Sequence, residues 1–127
     1  MITYRTHTEP GGHAENQDCF LLSRAASVAG GYLCAVADGQ GGQPGAALAA
    51  AIACQSCLEG ASSFRLDRLL SPLTWPVILW QSDEAVAAAA NAGFTTLIGF
   101  CLTEDALCGG SSGDSAVLLL RALSRFV

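Results

Sequence analysis

The run Val36-Ala37-Asp38-Gly39-Gln40-Gly41-Gly42, with Pro44 and an alanine-rich stretch close behind, constrains this chain more than any other feature. The apolar residues up to Ala37 suit a strand, and the glycines after Asp38 break it and let the backbone turn sharply. Pro44 stands where a helix begins, and the alanines that follow, up to Leu58, have the highest intrinsic preference for one. Strand, glycine turn and helix therefore follow in that order.

The flanking sequence extends the pattern. Ile2 to Thr8 mixes β-branched, aromatic and polar residues and stops at Pro10-Gly11-Gly12, which predicts a first strand entering a turn. Asp18 to Ser23 and Gly31 to Ala37 are short apolar runs separated by small residues around Ala29-Gly30-Gly31, the pattern of a hairpin. Leu69 to Trp80 is apolar and uncharged but carries Pro72 and Pro76, so it reads as a packed connector. Ser82 is placed to cap a second helix, with Asp83 and Glu84 near the positive end of its dipole, running to about Asn91 and closed by Gly93. Thr95 to Thr103 and Ser115 to Arg121 are further strand candidates, whereas the adjacent glycines of Cys108-Gly109-Gly110-Ser111-Ser112 predict a loop. Antiparallel strands grouped around a helical pair give an α+β fold in one domain, residues 1–127.

Composition narrows the function classes. The chain is 51% hydrophobic and 13% charged, which leaves little polar material to cover a small domain, so some apolar surface is expected to need a partner. A formal charge of -5 with scattered basic residues excludes an electrostatic grip on nucleic acid or an anionic membrane. The uncharged stretch from Leu69 to Trp80 falls well short of the roughly 20 residues that span a bilayer. Met1 is followed by a polar stretch with Arg5, His7 and Glu9 instead of a signal sequence, so the expected compartment is the cytoplasm and the six cysteines are expected to stay reduced. Cys54 and Cys57 have C-x-x-C spacing but lie in the alanine-rich helix without a second ligand pair, so small buried residues are expected there. Trp75 and Trp80 are expected to fill gaps beneath the connector.

Three segments carry chemistry: His13-Ala14-Glu15-Asn16-Gln17-Asp18, Val36 to Gly42, and Gly113-Asp114-Ser115. Each sets an aspartate beside a strand end. A strand-end aspartate followed by glycine offers a carboxylate and a carbonyl to one hard cation, and magnesium or manganese suits such oxygen ligands. Asp-Gly and Gly-Asp are also common turn dipeptides, so no single segment decides the matter.

In order and spacing, the chain resembles the metal-dependent serine/threonine protein phosphatases of type 2C. The resemblance rests on Asn16-Gln17-Asp18, on Val36 to Gly42, on Thr95-Thr96-Leu97, and on Gly113-Asp114-Ser115 with Leu118-Leu119-Leu120-Arg121. It implies part of a four-layer α-β-β-α sandwich, with a dimetal site of Mn2+ or Mg2+ at one end. It also implies hydrolysis of phosphomonoesters on phosphoproteins by a metal-activated water. Asp38 then bridges both metals, Gly39 lends its carbonyl to one, and Asp18, beside Gln17, holds metal-bound waters. Asp114 matches an aspartate associated with an accessory third metal.

The departures are as informative. His13 stands where the family has its phosphate-gripping arginine, and an imidazole lacks the planar bidentate fork of a guanidinium. The family continues past the Gly-Asp-Ser block with two more metal-binding aspartates, and Asp67, Asp83 and Asp105 match neither. The expectation is a truncated phosphatase domain, completed by further chain or by a second chain; the alternatives are a catalytically silent binding or regulatory module and the product of an interrupted gene.

Overall fold

The computed structural model describes residues 1–25 and 30–120. β1 (Asp18–Arg24), β2 (Tyr32–Asp38), β3 (Leu97–Leu102) and β4 (Leu107–Ser112) form one antiparallel sheet in the order β1-β2-β3-β4. Between β2 and β3 come α1 (Ala46–Ser62), the short α2 (Leu66–Leu69) and α3 (Trp75–Ala88). Over the described residues the fold is α+β, a four-stranded antiparallel sheet with three helices.

α1 and α3 pack on each other and on one face of the sheet, α1 over β1 to β3 and α3 over β3 and β4. Small residues make this possible. Ala46, Ala49, Ala50, Ala53, Cys54, Cys57 and Ala61 recur at helical spacing and form the buried stripe of α1. They meet Leu33, Ala35 and Ala37, the alternate residues of β2 that point toward the helices. A side chain at Gly99 of β3 would overlap both Cys57 of α1 and the ring of Trp75 of α3, so this glycine sets how closely both helices approach the sheet.

Several expectations hold. The hairpin is present as β1 and β2, and the helix after Pro44 as α1; its connecting residues 26–29 lie outside the described residues. β3 falls within Thr95 to Thr103. Cys54 and Cys57 are fully buried.

Others need correction. The connector is not a connector throughout: α3 begins at Trp75, with Pro76 in its first turn, where the missing N–H has no intrahelical role. Trp75 is buried against the sheet, its Nε1 donating to the Leu69 carbonyl at 2.9 Å, whereas Trp80 points outward. Ser82 is therefore no cap. It lies buried inside α3 and its hydroxyl donates to the Ile78 carbonyl one turn back at 2.9 Å, which leaves Asp83 and Glu84 on the exposed part of mid-helix.

At the sheet's edges the strand assignments shift. Cys108 to Ser112, expected as a loop, belongs to β4, which pairs with β3; a side chain at Gly109 would overlap Gly99 and Phe100 of β3, and one at Gly110 would press on Trp75 and Leu79 of α3. Ile2 to Thr8 is not a strand; it runs along the sheet face opposite the helices, where the Tyr4 ring meets Tyr32 edge-on at 5.6 Å. Side-chain contact replaces a backbone ladder there. Ser115 to Leu120 is likewise irregular, with Leu118 and Leu120 exposed, and Arg121 lies outside the described residues. β-branched and aliphatic composition makes a strand only where a neighbour pairs with it.

Candidate functional site

Register brings the first two candidate residues together: Asp18 opens β1 and Asp38 closes β2, and they are directly opposed across the ladder. The turn beyond is fixed by backbone bonds. Gly39 N–H donates to the Gln17 carbonyl at 3.0 Å and Gln40 N–H to the Phe94 carbonyl at 2.8 Å, while Gly39 bridges to Thr95. A side chain on Gly39 would overlap the backbone of Ala46 and Gln17, so only glycine fits where α1 begins against the strand end. Among the described residues, none of these turn hydrogen bonds ends on the Gly39 carbonyl.

Asp114 is drawn in from the far edge of the sheet. Thr96 N–H donates to the Asp38 carbonyl at 2.9 Å, and Asp38 N–H donates to Thr96 Oγ1 at 3.0 Å. The same hydroxyl lies 2.7 Å from Ser115 Oγ. Gly113, at φ 102° in the left-handed region, turns the chain out of β4 so that Asp114 follows beside Thr96.

The electrostatics follow from this crowding. Partial loss of solvent holds the Asp38 carboxyl above its ordinary value, and repulsion from Asp18, a hydrogen bond shared with Asp18 and the charge of Asp114 add to the effect. Asp38 remains exposed, so a cation has access to it. A cleft of about 330 Å³ is lined by Asp38, Gly39, Gln40, Gly41, Thr96 and Asp114, with Phe94 and Thr95 at its wall. Asp18 and Asp38 also border a cleft of about 510 Å³ on the open sheet face. Asp18 and Asp114 thus reach Asp38 from two sides.

His13 lies apart from this cleft. A Cβ built on Gly41 would stand 3.8 Å from His13 Nε2 and 3.8 Å from Gln17 Oε1, so the imidazole reaches the glycine turn without lining the acidic cleft. As to a metal, clustered carboxylates and an unengaged carbonyl are the right donors for a hard cation. Among the described residues, however, no group of three His, Cys, Asp or Glu side chains is arranged to hold one. The donor set fits a loosely held cation and not a closed site.

Thr96 is the residue that sequence reasoning did not single out for a role. Thr95-Thr96-Leu97 marks a strand start, but nothing local signals that the Thr96 hydroxyl joins a residue 58 positions earlier to one 19 positions later. No protein-family model, curated protein or solved structure matches this chain.

Proposed function

We propose that this chain carries the first half of a metal-dependent serine/threonine phosphatase site of type 2C. The observation that supports it is the convergence of Asp18, Asp38 and Asp114 at one end of the sheet, the three positions at which the motif resemblance calls for metal-linked carboxylates. Asp38 and the Gly39 carbonyl would hold Mn2+ or Mg2+, with Asp18 and Asp114 beside them. A divalent cation there supplies an activated water and neutralises charge on a phosphate monoester. His13, at the glycine turn, would offer a weak hydrogen bond to phosphate from the rim.

The sheet face opposite the helices fits the place of a second sheet in a four-layer sandwich. Phe20, Leu22, Cys34, Val36 and Phe100 line the cleft on that face, and the irregular segment Ile2 to Thr8 covers it only in part. A second sheet supplied by further chain or by a second chain would pack there and bring the remaining metal ligands. No helix of the described residues is long and apolar enough to cross a membrane. Six free cysteines suit a reducing cytoplasm, the compartment this proposal adopts.

A second reading, a catalytically silent module that binds a partner and at most one weak cation, is favoured by one observation: no three-ligand group is present among the described residues. Turnover separates the two. With excess manganese and a phosphothreonine peptide, the 127-residue chain is expected to show no hydrolysis above its Asp38→Ala variant, because one loosely held cation does not align an activated water with phosphorus. The phosphatase reading then requires that hydrolysis appear when the absent strands are added in trans. If no such addition restores it, the silent-module reading stands.

A further inference from the structure

Beside the acidic cleft lies another, of about 450 Å³, between α3 and the ends of β3 and β4. Phe94 and Thr95 line both clefts, and Thr95 bridges to Gly39, so the two are immediate neighbours. The second cleft joins aromatic and aliphatic walls, chiefly Trp80, Leu79 and Phe94, to the carboxylate of Asp83. Among the described residues, no basic residue lines it.

Two features give this cleft a chemistry. Trp80 is 62% exposed and Phe94 75%, although Trp75 on the same helix is buried, so large aromatic surfaces are left to water beside a functional cleft. Trp80 and Asp83 are three residues apart on α3 and therefore neighbours on its surface. The ion pairs among the described residues all lie elsewhere, so none of them occupies the Asp83 carboxylate. An acidic side chain is repelled by this carboxylate, and a purely apolar one uses the rings but not the charge. A cation on an aliphatic stem uses both: the stem lies on Leu79 and Phe94, and the charge sits between the Trp80 ring and Asp83. Guanidinium suits this better than ammonium, because it is planar, stacks on an indole and pairs bidentately with carboxylate.

We infer that this cleft binds an arginine side chain of a polypeptide whose phosphorylated residue occupies the neighbouring acidic cleft. The inference deepens the phosphatase reading and rests on it for the second half of that statement. Arginine recognition itself stands on Trp80, Asp83 and Phe94 alone.

The test uses the whole chain and a probe without phosphate: acetyl-Ala-Arg-Ala-amide, with acetyl-Ala-Gln-Ala-amide as its neutral counterpart. In ligand-observed NMR, saturation is expected to pass from the protein to the arginine methylenes, with binding about tenfold weaker for the glutamine peptide. Trp80→Ala and Asp83→Asn, both at exposed positions, are each expected to weaken the arginine peptide, and Leu73→Ala, exposed outside the cleft, is expected to leave it unchanged. Equal binding of the two peptides, or arginine binding that survives both cleft variants, overturns the inference. Because the readout involves neither phosphate nor turnover, that result leaves the phosphatase reading standing. A chain that binds the arginine peptide but gains no hydrolysis from added strands places the failure in the acidic cleft instead.

Discussion

Asp38 and Thr96 are joined twice, the Asp38 N–H donating to Thr96 Oγ1 at 3.0 Å and the Thr96 N–H to the Asp38 carbonyl at 2.9 Å. This pair fixes the end of β2 against the start of β3. Through the Ser115 hydroxyl, 2.7 Å from Thr96 Oγ1, it also ties the turn that carries Asp114 to the same point.

Thr96→Val keeps the volume of the side chain but removes the acceptor for Asp38 N–H and the partner of Ser115. It is expected to lower unfolding free energy by about 0.5–1.5 kcal/mol, the net worth of a hydrogen bond whose partners water can reach. Thr96→Ser, which keeps the hydroxyl, is expected to recover most of this. Urea unfolding of the three proteins checks it, and equal midpoints for Val and wild type would refute the latch.

The raised Asp38 carboxyl makes stability depend on pH in a definite direction. A carboxyl whose folded pKa lies above its ordinary 3.8 favours the folded state when protonated, and that contribution is lost as pH rises from 3.8 through the raised value. Asp38→Asn removes the penalty of ionising beside Asp18 and Asp114. At pH 7 it is expected to be more stable than wild type, and the gap is expected to close below the carboxylate range. Thermal unfolding across pH 3–7 measures this; a variant less stable than wild type at pH 7 contradicts it.

The cysteines should divide by burial. Burial pushes the thiols of Cys34 and Cys57 up to about 11 and that of Cys54 higher still, with Cys19 and Cys57 adding to the shift at Cys54. Cys101 is buried and raised as well, whereas Cys19 and Cys108 are only half-buried. A disulfide reagent at pH 8 is expected to modify Cys19 and Cys108 in the native chain and the other four only after denaturation. Rapid native modification of Cys54 or Cys57, read by mass spectrometry, runs against this packing.

The sequence made some elements plain and hid others for physical reasons. α1 and the hairpin are legible because proline, glycine and alanine act locally, and because two apolar runs around a small-residue turn have few alternatives. α3 was hidden by Pro76, which suggests a break but sits in the first turn, where it is tolerated. Ser82 looked like a cap because it precedes Asp83 and Glu84, yet its hydroxyl is occupied one turn back. β4 was hidden by Gly109 and Gly110, which weaken a strand in isolation; here Gly109 makes room for Gly99 and Phe100 of β3, and Gly110 for Trp75 and Leu79 of α3. In the site, Asp18 and Asp38 come together through hairpin register alone. The link to Asp114 depends on Thr96, whose partners are far away in sequence and leave no local trace.

Titration calorimetry with manganese reads the proposed cation site at Asp38, the Gly39 carbonyl and their acidic neighbours without depending on turnover. Among the described residues no group of three His, Cys, Asp or Glu side chains is arranged around a metal ion. The expected result is weak binding of one manganese per chain, abolished in Asp38→Ala. Tight binding of two manganese ions, or binding unchanged in Asp38→Ala, would contradict a cation site built on Asp38 with few other ligands.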